Sequence, residues 1–415
     1  MKNEMKFSKY HLSTDELSDV DIPGKRIIFS TRTATSILVD DNIYNSLVLN
    51  NFSELEEEIY SSLVDKEFIV PKEEDEYRHI MSTNAETRDT VNFLAMTIQP
   101  TANCQLGCHY CGQQHTKDYA KDDVIEKYVE RIEHLLNTNA VYNGVSITWY
   151  GAEPLMGYSS IRKASKKLID LCESKKFGYL SDIITNGLSL KPSLFEVLVK
   201  ECRITNYQIT LDGSAESHDT RRITKSGEPT FDIIMKNIID VTNTETYSQY
   251  NCNISIRVNI DKSNYQFVDP LIECIKNYDL QKKVSIYFAP VVDFGGNDAG
   301  KDSLSLNFFA EKEIEWLFKC YEYGVRMSSV LPKRSYAACM VEYENNEVWD
   351  AFGNIYSCWE FPYSEYATGE SLIGNLFRPE EEYNKNALLR NWSEVVDSGA
   401  TWCKTCLHLP VCGGG

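Results

Sequence analysis

Between residues 93 and 290, short apolar segments alternate with longer segments in which apolar residues recur every three or four positions. The short segments predict buried strands, and the longer ones predict amphipathic helices. The predicted strands are FLAMTIQ from 93, VSITWY from 145, LSDIIT from 180, NYQITL from 206, CNISIRVNI from 252 and VSIYFAP from 284. The helical segments include DVIEKYVERIEHLL, IRKASKKLIDLCES and FDIIMKNIIDV. Six strands alternating with helices predict a parallel, right-handed β/α arrangement, either open or closed into a barrel.

The first 90 residues predict a smaller unit of winged-helix size. Its pattern contains two strands, RIIFS and TSILV, two helices, DNIYNSLVL and SELEEEIYSSLV, and a short apolar segment, EFIV. Ser53 followed by Glu56 forms a capping-box pattern and predicts that the second helix begins at Ser53. The acidic runs at 56–58 and 74–76 are typical of solvated helix faces and termini.

The composition narrows the classes of partner and location. A net charge of −19 and a pI near 4.9 argue against nucleic acid as a partner, because proteins that bind phosphate backbones concentrate Lys and Arg. No apolar run reaches the roughly 20 residues of a membrane span, and the polar start MKNEMKFSKYHLSTDE lacks the apolar core of a signal peptide. The expected location is the cytoplasm, with no membrane partner.

The chain has 13 cysteines, and their spacing separates them into two kinds. Five stand singly among apolar or helical residues and are predicted to be core or half-buried thiols: Cys172, Cys202, Cys252, Cys274 and Cys320. The other eight fall in clusters. In a reducing compartment, clustered cysteines are more often thiols or metal thiolates than disulfides.

Polar and glycine-rich groups follow the predicted strands at one end, which is where the chemistry of β/α barrels gathers. The first strand leads into NCQLGCHYCGQQH, the next three lead into GAEP at 151, TNG at 185 and LDG at 211, and the fifth ends in RVN at 257. His218, Asp219, Arg221 and Arg222 follow the fourth strand. Any one of these loops is equally well explained as an ordinary turn, but their joint placement around one rim favours an active site.

Cys104, Cys108 and Cys111 are spaced C-x3-C-x2-C, with no fourth cysteine nearby. Three thiolates can bind zinc, iron or an iron–sulfur cluster. One alternative is a structural zinc site completed by His109 or His115. Its location at the mouth of a predicted barrel instead favours an iron site with an open coordination position.

The cysteine motif, with Tyr110 before its last cysteine, resembles that of the radical S-adenosylmethionine (SAM) enzymes, as do GAEP, TNG and QITLDGSAESHDTRRITKSGEPTFD. The resemblance covers about residues 93 to 290. It implies that Cys104, Cys108 and Cys111 bind three irons of a [4Fe-4S] cluster, while the amino and carboxylate groups of SAM bind the fourth. It also implies reductive cleavage of SAM to a 5′-deoxyadenosyl radical that abstracts hydrogen from the substrate.

The same resemblance assigns further residues to the cofactor: Gly151, Ala152 and Glu153 beside the methionine amino group, Thr185 and Asn186 near the ribose, and Tyr110 beside the cluster and adenine. The family usually has glycine where this chain has Ala152. Arg222 is the candidate for the methionine carboxylate, because a guanidinium forks onto a carboxylate. The neighbouring Arg221 is an alternative, and either arginine could instead cap a strand or pair with Asp219.

The C-terminal cysteines form two further groups, C-x13-G-x4-C with Cys339, Gly353 and Cys358, and C-x2-C-x5-C with Cys403, Cys406 and Cys412. Alone, the second group could be half of a zinc ribbon. Together they resemble the SPASM extension, which implies up to two auxiliary [4Fe-4S] clusters. The family pattern continues with further cysteines beyond this sequence, so we expect a longer natural protein. Alternatively, other groups, such as the thiol of Cys320, complete the clusters.

These observations give an expected fold class of α/β: a partial (β/α)6 TIM-like barrel with a small N-terminal winged-helix-like unit and an irregular Fe–S-binding C-terminal extension. The expected divisions are 1–90 for the winged-helix-like unit, 91–300 for the radical SAM barrel, 301–338 for a linking helical region and 339–415 for a SPASM-like domain, truncated at its C-terminus.

SPASM enzymes mainly modify peptides and proteins, and the resemblance of the first 90 residues to leader-recognition domains favours a maturase of ribosomal precursor peptides (RiPPs). We expect a thioether or carbon–carbon crosslink or a related change, with the leader peptide as partner and flavodoxin or ferredoxin as electron donor. Alternatives are a sulfatase-maturing enzyme and a non-catalytic, zinc-stapled β/α protein. Sulfatase maturases typically have Asp directly after the cysteine matching Cys358, where this chain has Trp359. Asp293 and Glu360 are weak candidates for a general base.

Overall fold

The computed structural model describes residues 2–17, 23–293, 298–343 and 345–415. The chain divides into two compact units. The first unit contains Met1–Val91, Leu331–Tyr343 and Asn391–Gly415, and the second contains Asn92–Val330 and Glu344–Arg390. This grouping differs from four consecutive segments, because the chain after residue 339 contributes to both units.

The first unit begins with five short strands and three helices. These are β1 (Met5–Phe7), β2 (His11–Ser13), β3 (Lys25–Ser30), β4 (Thr35–Asp40), α1 (Asp41–Val48), α2 (Glu57–Asp65), β5 (Ile69–Pro71) and α3 (Glu76–Asp89). Strands β2, β3 and β4 form an antiparallel sheet in that order, and β1 pairs with β5. The predicted strands and helices of this region are confirmed. Helix α3 was not predicted, because it buries only a narrow stripe that includes Tyr77, Ile80 and Met81.

The predicted capping box at Ser53 is wrong. Helix α2 begins at Glu57, and the Ser53 hydroxyl donates a hydrogen bond to Asn51 Oδ1 at 2.7 Å instead of capping the helix. The sequence pattern identified residues able to cap a helix, but the chain turns sharply before the helix starts.

The acidic run at 74–76 was predicted to be solvated, and this is wrong for Glu76. Its side chain is buried and accepts hydrogen bonds from Ser8 Oγ at 2.5 Å and from Arg32 at 3.3 Å. Because Arg32 is itself buried, its guanidinium needs carboxylate partners, which Glu67, Glu74 and Glu76 provide. Glu57 and Glu58 are exposed, as predicted.

The second unit contains a ten-stranded sheet and eight α-helices among its described residues. Its elements are β6 (Phe93–Ile98), α4 (Asp122–Thr138), β7 (Gly144–Trp149), α5 (Tyr158–Lys175), β8 (Gly178–Thr185), α6 (Pro192–Cys202), β9 (Ile204–Thr210), α7 (Ala215–Arg221), α8 (Phe231–Thr242), α9 (Glu245–Gln249), β10 (Asn253–Ile260), α10 (Val268–Asn277), β11 (Val284–Pro290), α11 (Leu306–Tyr323), β12 (Arg326–Met327), β13 (Glu347–Trp349), β14 (Asn354–Tyr356) and β15 (Leu372–Asn375).

The six predicted strands are β6 to β11, and they are parallel neighbours in chain order. The complete order is β12-β11-β10-β9-β8-β7-β6-β13-β14-β15, so the sheet is open. This confirms an α/β fold with a partial (β/α)6 TIM-like barrel. Strand β13 pairs with β6 in parallel, and the β13–β14–β15 meander extends the sheet at that edge.

The two faces of the parallel sheet differ in burial. Along β10, the fully buried side chains are Ile254, Ile256, Val258 and Ile260, and the intervening, partly exposed ones are Asn253, Ser255, Arg257 and Asn259. The buried face packs against the helices in one large apolar core. The other face is polar and open. None of the helices in the described ranges is both long and apolar enough to cross a membrane.

The end of the chain, with helices α12 (Trp392–Asp397) and α13 (Leu409–Cys412), folds onto the first unit. Val396, Cys403 and Leu409 pack in one apolar cluster with Tyr77 of α3. The hydroxyl of Thr31, directly after β3, donates to the Leu407 carbonyl at 2.7 Å. Chain termini that are distant in sequence therefore share a core.

We predict that Tyr77→Phe weakens this attachment. The Tyr77 hydroxyl is buried and donates to the Val396 carbonyl at 2.5 Å, so its removal leaves that carbonyl without this donor and costs about 1 kcal/mol. Hydrogen exchange measured by mass spectrometry should show faster exchange in residues 392–412. Tyr321→Phe, at a side chain that is 78% exposed, is the control and should leave exchange unchanged. Equal exchange in Tyr77→Phe and wild type would contradict the prediction.

Candidate active site

The three-cysteine loop lies at the carboxyl end of β6. An antiparallel pairing with the segment after α7 holds it, since Gly107 N donates to Ile223 O and Lys225 N donates to Gln105 O, both at 2.9 Å. Residues 221–225 therefore hold the cysteine loop by backbone hydrogen bonds. The sequence had indicated only that they follow a strand. The structure brings the two segments together as the rim placement predicts.

Cys104, Cys108 and Cys111 lie close enough to influence one another's ionisation. Burial raises the pKa of Cys104 to about 12, and the charges of Glu153, Cys108 and Cys111 add to this effect. Burial also raises the pKa of Cys108 to about 11, opposed by the Arg222 charge, and raises that of Cys111. Three neighbouring buried thiolates are therefore costly unless a cation neutralises them, as iron does on coordination.

The residues fit a cluster better than they fit a single ion. Within the described ranges, no group of three or more His, Cys, Asp or Glu residues is placed to hold one metal ion. A [4Fe-4S] cluster does not require such a group, because each thiolate binds a different iron. The alternative zinc ligands are placed differently: His109 Nε2 is 3.4 Å from Asp261, and His115 Nε2 is buried without a partner.

Gly151 and Ala152 form a tight turn after β7. Gly151 has a φ of +79°, and a Cβ there would lie 2.1 Å from Gln99 Oε1, so only glycine fits. Ala152 also has a left-handed φ, +47°, although it carries a methyl group. The Ala152 N–H donates to Gln113 Oε1 at 2.8 Å, which offsets part of the strain and attaches the turn to the cysteine loop.

Glu153 is fully buried, and its carboxylate joins two of the predicted cofactor segments. It accepts hydrogen bonds from Thr185 Oγ1 at 2.6 Å, Asn186 N at 2.7 Å and Leu155 N at 3.0 Å. Burial raises the pKa of Glu153, and these three hydrogen bonds oppose the rise. Its side chain therefore fixes the TNG turn, and its backbone remains the part suited to the cofactor.

Tyr110 projects from the cysteine loop into a polar network at the ends of β9 and β10. Its hydroxyl donates to Asp212 Oδ2 at 2.7 Å and accepts from Arg222 at 2.5 Å and Asn259 Nδ2 at 3.1 Å. Asp212 follows β9 and Asn259 lies at the end of β10, as the sequence indicated, but their role in orienting Tyr110 was not predicted. Only the three-dimensional meeting of the strand ends reveals it.

The structure separates the roles of the two adjacent arginines. Arg221 is paired with Asp261, with both carboxylate oxygens 2.7 Å from its Nη1. Hydrogen bonds from His109 and Arg221 outweigh burial and hold the pKa of Asp261 well below its usual range. Arg222 is buried beside Cys108 and has no ion pair within the described ranges, and its Nε has no partner. Its guanidinium is thus the one suited to bind a ligand carboxylate.

Asp219 does not pair with either arginine. Its carboxylate accepts from the backbone N–H groups of Thr230 and Phe231, at the beginning of α8. This corrects the alternative in which Arg221 or Arg222 pairs with Asp219. An acidic side chain at a helix start is common, but the cap lies eleven residues away in sequence, beyond local capping patterns.

The two candidate bases lie in different surroundings. Glu360 is partly buried, accepts a hydrogen bond from the Tyr150 hydroxyl at 3.1 Å, and adds to the raised pKa of Cys111. Burial raises the pKa of Glu360 itself, opposed by Tyr150 and by the Arg257 charge. Asp293 is exposed beyond the end of β11. Glu360 therefore faces the cysteine site, and Tyr150 is a neighbour that the sequence reasoning missed.

The C-terminal cysteines are distributed over both units. Cys403 is buried, Cys406 is half-buried, and Cys339 and Cys412 are exposed in the first unit. Cys358 belongs to the second unit, where it follows β14. The five lone cysteines are buried or half-buried, as predicted.

A cavity of about 410 Å³ lies at the amino ends of β8 and β9, away from the cysteine loop.

We predict that His218 makes stability fall in acid. His218 is buried, accepts from the Asp212 N–H at 3.1 Å, and has a pKa well below 6.5 because of burial and the charges of Arg222 and Arg221. The unfolded chain binds a proton near pH 6.5, and the folded one does not. Wild type should therefore lose about 1.4 kcal/mol more than His218→Asn between about pH 7.5 and 5.5.

Urea unfolding of both proteins at the two pH values measures this difference. Asparagine keeps an acceptor for the Asp212 N–H and removes the titrating ring. His134→Asn, at a half-exposed side chain, is the matched control and should retain the wild-type pH dependence. An equal loss of stability in His218→Asn and wild type would refute the assignment.

Comparison with known proteins identifies a matching family and two similar enzymes. Residues 98–244 match the radical SAM superfamily. A cysteine-type anaerobic sulfatase-maturating enzyme of Clostridium novyi (strain NT) is 23% identical over 351 residues, covering 78% of this chain and 87% of the relative. A serine-type anaerobic sulfatase-maturating enzyme of Bacteroides thetaiotaomicron is 22% identical, covering 77% and 82%.

Two solved structures show the same fold. The structure of native anSMEcpe with bound AdoMet has a TM-score of 0.58 and 19% identity, covering 78% of this chain and 88% of that one. Streptococcus suis SuiB bound to precursor peptide SuiA has a TM-score of 0.52 and 14% identity, covering 99% and 95%. The residues at the cysteine loop, the family match and the fold agree: the chain is an enzyme that carries a radical SAM domain over residues 98–244.

Proposed function

We propose that this chain is a radical SAM maturase that acts on a precursor peptide and installs a thioether or carbon–carbon crosslink or a related modification. The observation that carries the proposal is the extent of the structural match. The likeness to SuiB, whose structure contains a precursor peptide, covers 99% of this chain and so includes the first 90 residues. The anSMEcpe likeness covers 78%.

An open sheet edge supports peptide recognition in the first unit, here proposed as a leader-recognition domain. Strand β4 pairs with β3 on one side, and its other side has no strand partner in the described ranges. Beside this edge, the cross-strand pair Ile27 and Leu38 is 41% and 45% exposed. An extended leader peptide added along β4 would satisfy the free backbone groups and cover these apolar side chains.

Cys104, Cys108 and Cys111 would hold the cluster, with Arg222 on the SAM carboxylate and the backbone of Gly151 to Glu153 beside the amino group. When bound, cluster and SAM supply a radical that abstracts hydrogen from the substrate. Tyr110, oriented by Asp212 and Asn259, supports the pocket wall beside them. Thr185 and Asn186, which Glu153 holds by hydrogen bonds, would lie near the ribose.

Glu360 is the proposed proton acceptor. Its carboxylate lies near the cysteine loop, and the raised pKa makes it a stronger base than an exposed carboxylate. The Tyr150 hydrogen bond holds the carboxylate at the end of β7. Crosslink formation removes two hydrogens. The radical would abstract one as an atom, and the other would leave as a proton, accepted by Glu360, and an electron, accepted by a proposed auxiliary [4Fe-4S] cluster.

The C-terminal cysteines are proposed ligands of auxiliary [4Fe-4S] clusters: Cys339, Cys358, Cys403, Cys406 and Cys412. Flavodoxin or ferredoxin is the proposed electron donor. Sulfatase maturation is the second candidate function, favoured by the names of the two curated relatives. Trp359, where that branch typically places Asp, counts against it, although Glu360 is adjacent.

The first prediction from this proposal concerns the cysteines. After anaerobic reconstitution, wild type should bind at least about four irons per chain and form 5′-deoxyadenosine from SAM with dithionite. Cys104/Cys108/Cys111→Ala should form none. Cys339/Cys358/Cys403/Cys406/Cys412→Ala, which removes every proposed auxiliary ligand, should retain the activity and lose any iron above about four. Cys274→Ala, at a lone half-buried thiol, is the control for losing a thiol. Zinc instead of iron, without SAM cleavage, would refute the proposal.

The second prediction concerns Glu360. Glu360→Gln should form 5′-deoxyadenosine at the wild-type rate but modify peptide at least about 100-fold more slowly, because general-base catalysis contributes that much. Liquid chromatography with mass spectrometry measures both products. The substrates are peptides encoded beside the gene, and peptides spanning a sulfatase active-site cysteine or serine. Modification of the sulfatase peptides alone would favour the second function.

Glu365→Gln, at an exposed carboxylate, is the control, and full peptide modification by Glu360→Gln would show that Glu360 is not the catalytic base.

A further inference from the structure

The open face of the parallel sheet is polar, which is unusual for parallel strands. Such strands normally lie buried on both faces and read as continuous apolar runs. In β7 to β11, one face instead carries exposed or partly exposed side chains, most of them polar, such as Ser146, Asp182, Gln208, Arg257 and Tyr287, with Leu180 and Ile184 as apolar exceptions. This face suits a polar ligand such as a peptide.

Arg257 lies on this face, near the carboxyl end of β10, and lacks a paired carboxylate. Its Nε donates to Asn259 Oδ1 at 2.7 Å, and Nη1 lies 3.4 Å from the Tyr287 hydroxyl. These contacts use two of the five N–H donors of a guanidinium. No ion pair of Arg257 is present in the described part of the chain. Glu360 is the acidic group whose charge Arg257 influences, but the two form no ion pair within 4 Å.

The other arginines buried in the second unit clarify this observation. Arg131 is paired with Glu347 at 2.6 Å, and Arg221 with Asp261 at 2.7 Å. Arg222 has no ion pair within the described ranges and is the proposed ligand of the SAM carboxylate. A partly buried guanidinium without a carboxylate is poorly compensated, so Arg257 is suited to a carboxylate that arrives with a ligand.

A chain of hydrogen bonds places Arg257 next to the cofactor site. Arg222 donates to the Tyr110 hydroxyl, Asn259 Nδ2 donates to the same oxygen, and Arg257 Nε donates to Asn259 Oδ1. Asn259 therefore holds Tyr110 and Arg257 at the same time. Arg222 and Arg257, neither of which forms an ion pair within the described ranges, are therefore linked through only Tyr110 and Asn259.

We propose that Arg257, supported by Asn259 and Tyr287, binds a carboxylate of the peptide substrate and thereby positions the residue to be modified. The carboxylate belongs either to an acidic side chain or to the C-terminus of the peptide. The inference rests on the proposed function, because it requires a peptide in the barrel. Arg257 would thus select peptides by their negative charge, at a place separate from the leader-recognition edge at β4.

The test is affinity selection by reconstituted holoenzyme with SAM under anaerobic conditions. Two pools of short random peptides are used, one with a free C-terminal carboxylate and one with a C-terminal amide, and bound peptides are identified by tandem mass spectrometry. The proteins are wild type, Arg257→Glu, Arg257→Lys and Arg326→Glu. Arg326 is exposed, so its substitution makes the same charge change away from the proposed contact.

Wild type should enrich Asp or Glu in both pools if a side chain is bound, or retain the free-carboxylate pool preferentially if the terminus is bound. Arg257→Glu should lower that enrichment about 10-fold or more, Arg257→Lys should keep part of it, and Arg326→Glu should keep all of it. No carboxylate preference in wild type, or the same preference in Arg257→Glu, would overturn the inference.

Formation of 5′-deoxyadenosine without peptide separates the remaining outcomes. If wild type forms none, the proposed function itself fails. If wild type forms it and Arg257→Glu does not, Arg257 serves the cofactor and the substrate inference is overturned. Equal formation by both, together with the lost carboxylate preference, supports substrate binding by Arg257.

Discussion

The cost of placing three neighbouring thiols, one buried and two half-buried, in a single loop governs the architecture around them. Burial raises the pKa of Cys104, Cys108 and Cys111, so three thiolates there would need a cation such as iron to compensate their charge. The loop must also hold its shape before that compensation arrives. Pairing with residues 221–225 and the contact from Gln113 to Ala152 provide that support without using the thiols.

At the carboxyl ends of the strands, the acidic residues bind neighbouring protein groups, and the arginines are less fully paired. Glu153, Asp212 and Asp261 are buried and spend their oxygens on neighbouring protein groups. Arg222 and Arg257 form no ion pair within the described ranges, and Arg222 Nε has no partner. The buried acids thus stabilise the loops, while the proposed role of these two cations is to bind ligand carboxylates, in a chain whose net charge is strongly negative.

The predictable features were those that repeat along the chain. The six parallel strands followed from their apolar runs, and the cysteine loop from its spacing. The hidden features depend on side chains meeting across long sequence separations: Asp219 caps a helix eleven residues away, and Tyr110 meets Asn259 across 149 residues. Local rules also failed where tertiary partners prevail, as when buried Arg32 draws Glu76 out of solvent. Arg221 and Arg222 could be told apart only when the pairing of Arg221 with Asp261 was known.

The shared core of α3 and the C-terminal cysteine segment has a consequence for synthesis on the ribosome. The sheet of β6 to β11 is complete within one continuous stretch and can fold while later residues are still being made. In the first unit, Val396, Cys403 and Leu409 cover Tyr77, so this one cluster closes only after more than 300 residues have been added. The cluster that includes Ile28, Leu47 and Phe68 needs no C-terminal residue and can form earlier. The apolar stripe of α3 therefore stays uncovered long after the residues before it have folded, and it is a natural site for chaperone protection during that interval.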